Sequence, residues 1–368
     1  MKIIEVIYNL SSGGAERFVV DLSNQLAETN DVSLFTLKTD SDIRNVFYKK
    51  ELSSKVKYTN FSIPTGYSFK SLLTLYKAIK NEKPDIVHFH IANIVIYFIL
   101  PILFYRKCQY FQTEHTDATF GKNGHRLFSY IRRFLYTNQL VNICAISKYN
   151  QTTLEATFSL QAPKLIINGR HKTDLSYQAD LVHQEIYSYK KNSDTLCFVH
   201  IGRCAEPKNQ ELLIKAFNIF NKENDAILLI IGGGFDEPRG QELCKISNKN
   251  IHFLCEKPNV CDYLAYADAF CLSSIFEGMP ITLIEAYCQS CIPISTPVSG
   301  CIDYIIDGQT GFITDDYSVE NYVSALERFK KHHHAISKEA LHAVYDKNFS
   351  IKECADKYIN WFSEAEIK

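Results

Sequence analysis

The chain has 368 residues, 46% hydrophobic and 22% charged, enough for two ordinary cores and too apolar for a disordered, collagen-like or coiled-coil chain. Forty basic residues against 41 acidic ones leave a formal charge of −1, which argues against a nucleic-acid partner. The balance is uneven along the chain: residues 1–180 carry 22 basic and 15 acidic side chains and the remainder 18 and 26, so the first half is expected to face something anionic, a membrane surface or a phosphorylated acceptor.

Short β-rich runs alternate with helical patterns from the first residue, the sign of βαβ units and parallel sheets. KIIEVIYNL reads as a strand, and after the SSGG turn AERFVVDLSNQLAE sets Phe18, Val19, Leu22 and Leu26 at helical spacing. Strands follow at VSLFTL, DIVHFH, YFQTEH and NICAIS, with helices around 69–82, 125–138 and 148–158. The apolar stretch 91–105 is interrupted by Asn93 and Pro101 and falls short of the roughly 20 residues of a spanning helix, so a buried helix is expected there. The first domain is expected over 1–170, and the polar run that follows, to about 192, reads as a connection.

The alternation restarts at TLCFVHIGR, with helices at NQELLIKAFNIFNK and after PRGQ and strands at AILLII, IHFLC and AFCLSS. The expectation is a second doubly wound domain over 190–351. The segment 352–368 reads as an amphipathic helix with Ala355, Tyr358, Ile359 and Phe362 on one side, free to pack back on the first domain. Two such domains are expected to face each other across a cleft, with ligands at the carboxyl ends of the strands.

Twelve cysteines, among them Cys144, Cys197 and Cys271, sit largely in apolar runs and read as small buried hydrophobes. The pair Cys288 and Cys291 has no second pair at zinc spacing, and consecutive His332, His333 and His334 would fan out around a helix, so no metal is expected. The opening residues carry Glu5 and show no leader pattern, which with free thiols points to the cytosol.

Three loops suit a diphosphate. Gly13 and Gly14 lie between a strand and a helix, where backbone N–H groups can approach an anion, although a tight turn would use the same glycines. Arg203 and Lys208 follow the second domain's first strand, one able to bind phosphate bidentately and one a point charge; solvated surface cations beside Glu206 and Glu211 are the plain alternative. Glu277 and Glu285 are separated by seven residues around Pro280, which places one carboxylate in a loop and the other about a turn inside a helix. Carboxylates there accept hydrogen bonds from vicinal hydroxyls of a ribose or hexose.

GGAE after strand one, DIVHFH, the TEH loop, ING, GR with a lysine five residues on, ADAFCLSSIFEGMP with its paired glutamates, and DGQTGF occur in that order. This ordered set resembles the family 4 glycosyltransferases, retaining enzymes of the GT-B fold. The resemblance implies a hexosyltransferase using a nucleoside-diphosphate sugar, with UDP as the expected carrier and no metal or other cofactor. It implies Arg203 and Lys208 on the diphosphate, Glu285 on the ribose, Glu277 on the transferred sugar, His115 near the reacting sugar and Gly13 and Gly14 over the diphosphate. It also implies that backbone around Phe253 to Lys257 reads the base. Three positions depart from the family pattern: Ser290 and Ser299 stand where glycine is usual, and Cys255 beside the base.

The acceptor is expected to be a glycan or a polyprenyl-linked sugar. HRLFSYIRRFLY sets Leu127, Phe128, Ile131, Phe134 and Leu135 on one face with Arg126, Arg132 and Arg133 elsewhere, a pattern suited to an anionic membrane surface and equally to a core-facing helix with solvated arginines. The readings from other classes are a nucleotide-sugar epimerase of the same fold, against which the glutamate spacing argues, and a sugar-binding protein without catalysis.

Overall fold

The computed structural model describes residues 1–118 and 126–364. The chain divides into two compact units, Met1–His171 with Phe349–Lys368, and Lys172–Asn348.

In the first unit the strands are β1 (Lys2–Ile7), β2 (Asp31–Thr36), β3 (Lys57–Asn60), β4 (Ile86–His90), β5 (Gln109–Glu114), β6 (Asn142–Ala145) and β7 (Lys164–Leu165). The helices are α1 (Gly14–Leu26), α2 (Phe69–Glu82), α3 (Ile94–Tyr97), α4 (Ile99–Phe104), α5 (Arg126–Thr137) and α6 (Lys148–Phe158). The sheet runs β3-β2-β1-β4-β5-β6-β7 with parallel pairing. β1 and β4 are buried except at Lys2, as central parallel strands are, with Glu5, His88 and His90 interrupting their apolar residues. Ser68 and Ser147 start α2 and α6 by accepting from the backbone N–H three residues on. Within the expected buried helix at 91–105 the chain breaks at Phe98 into α3 and α4, and Phe104 is exposed.

The second unit contains α7 (Ala179–Tyr189), β8 (Leu196–Ile201), α8 (Gln210–Phe220), β9 (Ala226–Ile231), α9 (Pro238–Ile246), β10 (Ile251–Leu254), α10 (Val260–Tyr266), β11 (Ala269–Leu272), α11 (Ile281–Cys288), β12 (Ile292–Ser295), β13 (Phe312–Ile313), α12 (Val319–His332) and α13 (Lys338–Asn348). Its sheet runs β10-β9-β8-β11-β12-β13, again parallel. The run read as a connection contains α7, which buries only Ala179, Val182 and Ile186 and is otherwise held by polar contacts. The Tyr263 hydroxyl on α10 donates to Glu185 Oε2 at 2.6 Å, and Ser176 just before α7 donates to Asp262. Such polar anchoring leaves little apolar periodicity to read.

The last helix, α14 (Ile351–Glu364), returns to the first unit. It buries Ile351, Cys354, Ala355, Tyr358, Trp361 and Phe362, the last two against Phe111 of β5; Ile359 is only half-buried. No helix among the described residues is long and apolar enough to cross a membrane.

Candidate functional site

In an open parallel sheet the ligand crevice lies where successive connections leave in opposite directions. In the second sheet that point is between β8 and β11, and the loops there are 202–209 and 273–280. The two loops are tied together: Ile275 N–H donates to the Pro207 carbonyl at 2.9 Å and Ser273 Oγ to the Lys208 carbonyl at 2.9 Å. Gln210 is buried at the start of α8 and holds the Arg203 carbonyl at 2.7 Å. Asn209 makes the turn with a left-handed φ of 46°, a conformation asparagine tolerates.

Two glycines are demanded by close approach. A Cβ on Gly232, after β9, would lie 2.2 Å from the Gly202 carbonyl oxygen, and one on Gly300 would lie 2.6 Å from that of Gly278. The loop after β12 therefore packs directly on the chain carrying Glu277, with Ser299 half-buried beside it.

Lys208 Nζ stands 2.6 Å from Glu277 Oε1, and Ser274 Oγ donates to the same oxygen at 2.6 Å. The lysine side chain is 28% exposed and the glutamate 12%, so the pair is neither sealed nor fully solvated. Arg203 rides the same loop as Lys208 and is exposed. Glu285 is the fifth residue of α11 and buried, one loop and one turn along from Glu277. Pro280 precedes the helix as its cap. Glu211 pairs with Lys215 along α8. Two neighbours escaped the sequence reading: Ser274 on Glu277, and His200 of β8. Its Nδ1 donates to the Cys271 carbonyl at 2.9 Å, and burial pulls its pKa down to about 4. A buried polar residue in an apolar strand was the signal for His200.

The remaining sequence-derived residues belong to the first unit. Gly13 caps α1 with an extended backbone and Gly14 begins it. Neither has a positive φ, and a Cβ on Gly13 would lie 2.1 Å from Glu16 Oε2, so there glycine makes room for the Glu16 carboxylate rather than relieving backbone strain. His115 follows β5, 9% exposed, and its Nε2 meets His90 Nδ1 at 3.0 Å. Among the described residues Glu5, His88 and His90 are the group whose donor atoms stand close enough to hold a metal ion. Glu5 Oε2 lies 2.6 Å from His90 Nε2 and 2.9 Å from His88 Nδ1, shorter than the about 3.4 Å between ligands of a tetrahedral centre; the first contact is a hydrogen bond and the second a close approach without one.

The membrane reading of α5 needs correction. Arg132 is buried, with its guanidinium 2.5 Å from Glu114 Oε2, 3.0 Å from the Tyr136 hydroxyl and stacked over Phe158. The buried carboxylate of β5 needs a counter-ion, and that need turns Arg132 inward. Leu127, Tyr130 and Phe134 take the exposed positions instead, with Leu135 buried and Phe128 and Ile131 half-buried. Arg133 is exposed and donates to Ser159 Oγ at 2.8 Å; the Arg126 side chain lies outside the described residues.

Residues 12–169 match the family described as Glycosyltransferase Family 4, and residues 183–343 that described as Glycosyl transferases group 1. The GalNAc-alpha-(1->4)-GalNAc-alpha-(1->3)-diNAcBac-PP-undecaprenol alpha-1,4-N-acetyl-D-galactosaminyltransferase of Campylobacter jejuni is 27% identical over 325 residues, covering 85% of this chain and 84% of that protein. The Escherichia coli O-antigen biosynthesis glycosyltransferase WbnH is 27% identical over 299 residues, 80% of each chain. Among solved structures, Anabaena HepE in complex with UDP superposes with a TM-score of 0.80 at 14% identity, covering 99% of this chain and 100% of the other. With both units matched in turn and both sheets doubly wound in the GT-B manner, the chain belongs to the family 4 glycosyltransferases.

Proposed function

We propose that the chain is a retaining, metal-independent transferase that moves a hexose or N-acetylhexosamine from a UDP-sugar to a hydroxyl of a glycan or polyprenyl-diphosphate-linked acceptor in surface polysaccharide assembly. The observation that carries this reading is the Lys208–Glu277 pair at the switch point of the second sheet, with Arg203 exposed on the same loop. A departing nucleoside diphosphate gains negative charge, and fixed cations stabilise it more in the transition state than in the ground state.

The half-exposed ion pair suggests an exchange of partners. An arriving diphosphate takes the Lys208 ammonium, which frees the Glu277 carboxylate to accept from hydroxyls of the transferred sugar. Arg203 adds a bidentate contact, Glu285 takes the ribose, and Gly13 and Gly14 open the start of α1 toward the diphosphate. His115 attends the reacting sugar. The acceptor oxygen forms its bond to the anomeric carbon as the carbon–phosphate oxygen bond breaks, and the acceptor's proton passes to the leaving phosphate oxygen. The UDP bound by HepE and the PP-undecaprenol in the name of the Campylobacter relative support the choice of carrier and acceptor. Peripheral contact with the inner face of the membrane is assigned to Leu127, Tyr130 and Phe134 with Arg133 beside them.

The test is transfer from UDP-glucose, UDP-galactose and their N-acetylated forms to a polyprenyl-diphosphate-linked acceptor in the presence of EDTA, with the product's anomeric configuration read by NMR. A retained α linkage is expected. An inverted linkage, loss of turnover in EDTA, or a glycosyl adduct trapped on an Asp or Glu would each overturn the corresponding part.

A further inference from the structure

At the switch point of the first sheet, strand register assembles groups that are far apart in sequence. Glu5 of β1 pairs in register with His88 of β4, and His90 lies two residues on, on the same face of the strand. All three side chains are wholly buried. His90 bridges them to His115: its Nε2 is 2.6 Å from Glu5 Oε2 and its Nδ1 3.0 Å from His115 Nε2. Phe18 of α1 stands edge-on to both rings, with centroids 6.1 and 5.5 Å away. On the other side His88 Nε2 and the Tyr358 hydroxyl of α14 share Thr113 Oγ1 at 2.8 and 2.9 Å.

The protons can be assigned along this row. Burial pushes the Glu5 carboxyl up, but His88 and His90 outweigh it and bring it to about 2. Burial, with His88 beside it, takes His90 down to about 4, and burial takes His115 well below its ordinary value. An ionised carboxylate only accepts, so the His90 hydrogen is on Nε2 and its Nδ1 is a lone pair. His115 then has to donate from Nε2 to make the 3.0 Å bond. A neutral imidazole has one N–H, which leaves Nδ1 of His115 as an acceptor.

We propose that Glu5 and His90 are positioning residues that lock His115 in its Nε2–H tautomer, so that it offers Nδ1 to a sugar hydroxyl. The link to the sugar rests on the role given to His115 above; the tautomer does not.

Two-bond proton–nitrogen correlation on the full chain labelled with ¹⁵N-histidine reads the tautomer without any substrate. A single Nε2–H form of His115 is expected; an Nδ1–H form, or a mixture, overturns the proposal. His90→Asn retains an amide oxygen near the Nδ1 position, whereas His90→Leu removes the acceptor. The asparagine variant is expected to keep the Nε2–H form and turnover close to wild type. The leucine variant is expected to show mixed tautomers and a kcat lowered by about tenfold or more, with KM for the UDP-sugar within about twofold of wild type. Equal losses in the two variants, or an unchanged tautomer in His90→Leu, overturn the relay. Should His90→Leu fail to fold, Glu5→Gln decides: its amide can donate back to His90 and reverse the row, so a second His115 tautomer is expected, and a single unchanged one is fatal. If the wild-type chain transfers no sugar, the functional reading falls while the spectra still settle the tautomer.

Discussion

The switch points of the two sheets occupy the same place in the same topology and hold their charges in opposite ways. In the second unit Lys208 and Glu277 keep part of their surface; in the first, Glu5, His88 and His90 have none. A carboxylate without water leans on fixed donors: Glu5 Oε2 takes the His90 Nε2–H at 2.6 Å, while Oε1 has no hydrogen-bond partner among the described residues, so the Glu5–His90 contact can set the direction of a hydrogen bond. Lys208 and Glu277, 28% and 12% exposed, stay within reach of solvent, so they can trade each other for a ligand. The contrast teaches that burial decides whether a charged pair is a fitting or a switch.

The buried pair of the first unit gives the largest expected effect on stability. Arg132→Ala would strand Glu114 and should cost about 3–5 kcal/mol in denaturant unfolding, while Lys208→Ala should cost under about 1 kcal/mol. Similar losses in the two variants would erase the distinction. In turnover the ranking reverses: Lys208→Ala should lower kcat/KM by about 10²–10³-fold, and Glu285→Ala should abolish thermal stabilisation by UDP. Full retention of that stabilisation would contradict the ribose role.

Acid sharpens the comparison. His90 and His200 are both drawn to about 4 by burial, so below about 6.5 the unfolded chain takes protons that the folded chain refuses. Stability therefore falls as the pH drops from 6.5 toward 4, by about 2 kcal/mol per histidine on reaching pH 5. Glu5 has the complementary window: its stabilisation is complete above its ordinary carboxylate value and is lost as the pH falls toward about 2. The first unit, which holds this buried carboxylate, should weaken more steeply there than the second, whose lowered carboxyls Glu211 and Asp316 are exposed, and hydrogen exchange resolved by segment would reveal the difference. A flat profile between pH 7 and 5 would refute the buried neutral histidines.

Smaller effects are expected at the edges of the two units. Ser290 ends α11 with a left-handed φ of 56°, so Ser290→Gly should raise stability by about 1 kcal/mol in thermal unfolding. Replacing Leu127 and Phe134 by serine should change stability by less than about 0.5 kcal/mol yet weaken flotation with anionic vesicles; unchanged flotation would remove the membrane role from α5.

Much of this was legible along the chain. The apolar runs around Ile4, Val87 and Leu229 announce strands buried on both faces, and the Gly, basic and glutamate motifs follow β1, β8 and β11, in loops except for Gly14 at the start of α1 and Glu285 inside α11. The strain at Ser290 was readable as a missing glycine. What escaped reading shares one property: its partner is remote. Arg132 looked like a solvated arginine because Glu114 lies 18 residues away on β5, and α7 looked like a linker because Asp262 and Tyr263 anchor it from another helix.

Local composition and period thus determined most of the central strands and their flanking helices, that there are two sheets, and which motif residues stand near strand ends, but not the edge strands β3, β7 and β13 or the helix α7. Only the folded chain decided which carboxylate meets which base, because strand register brings Glu5 to His90 across 85 residues. It also decided which charges keep their water, because burial depends on every element packed around a side chain and on no single stretch of sequence.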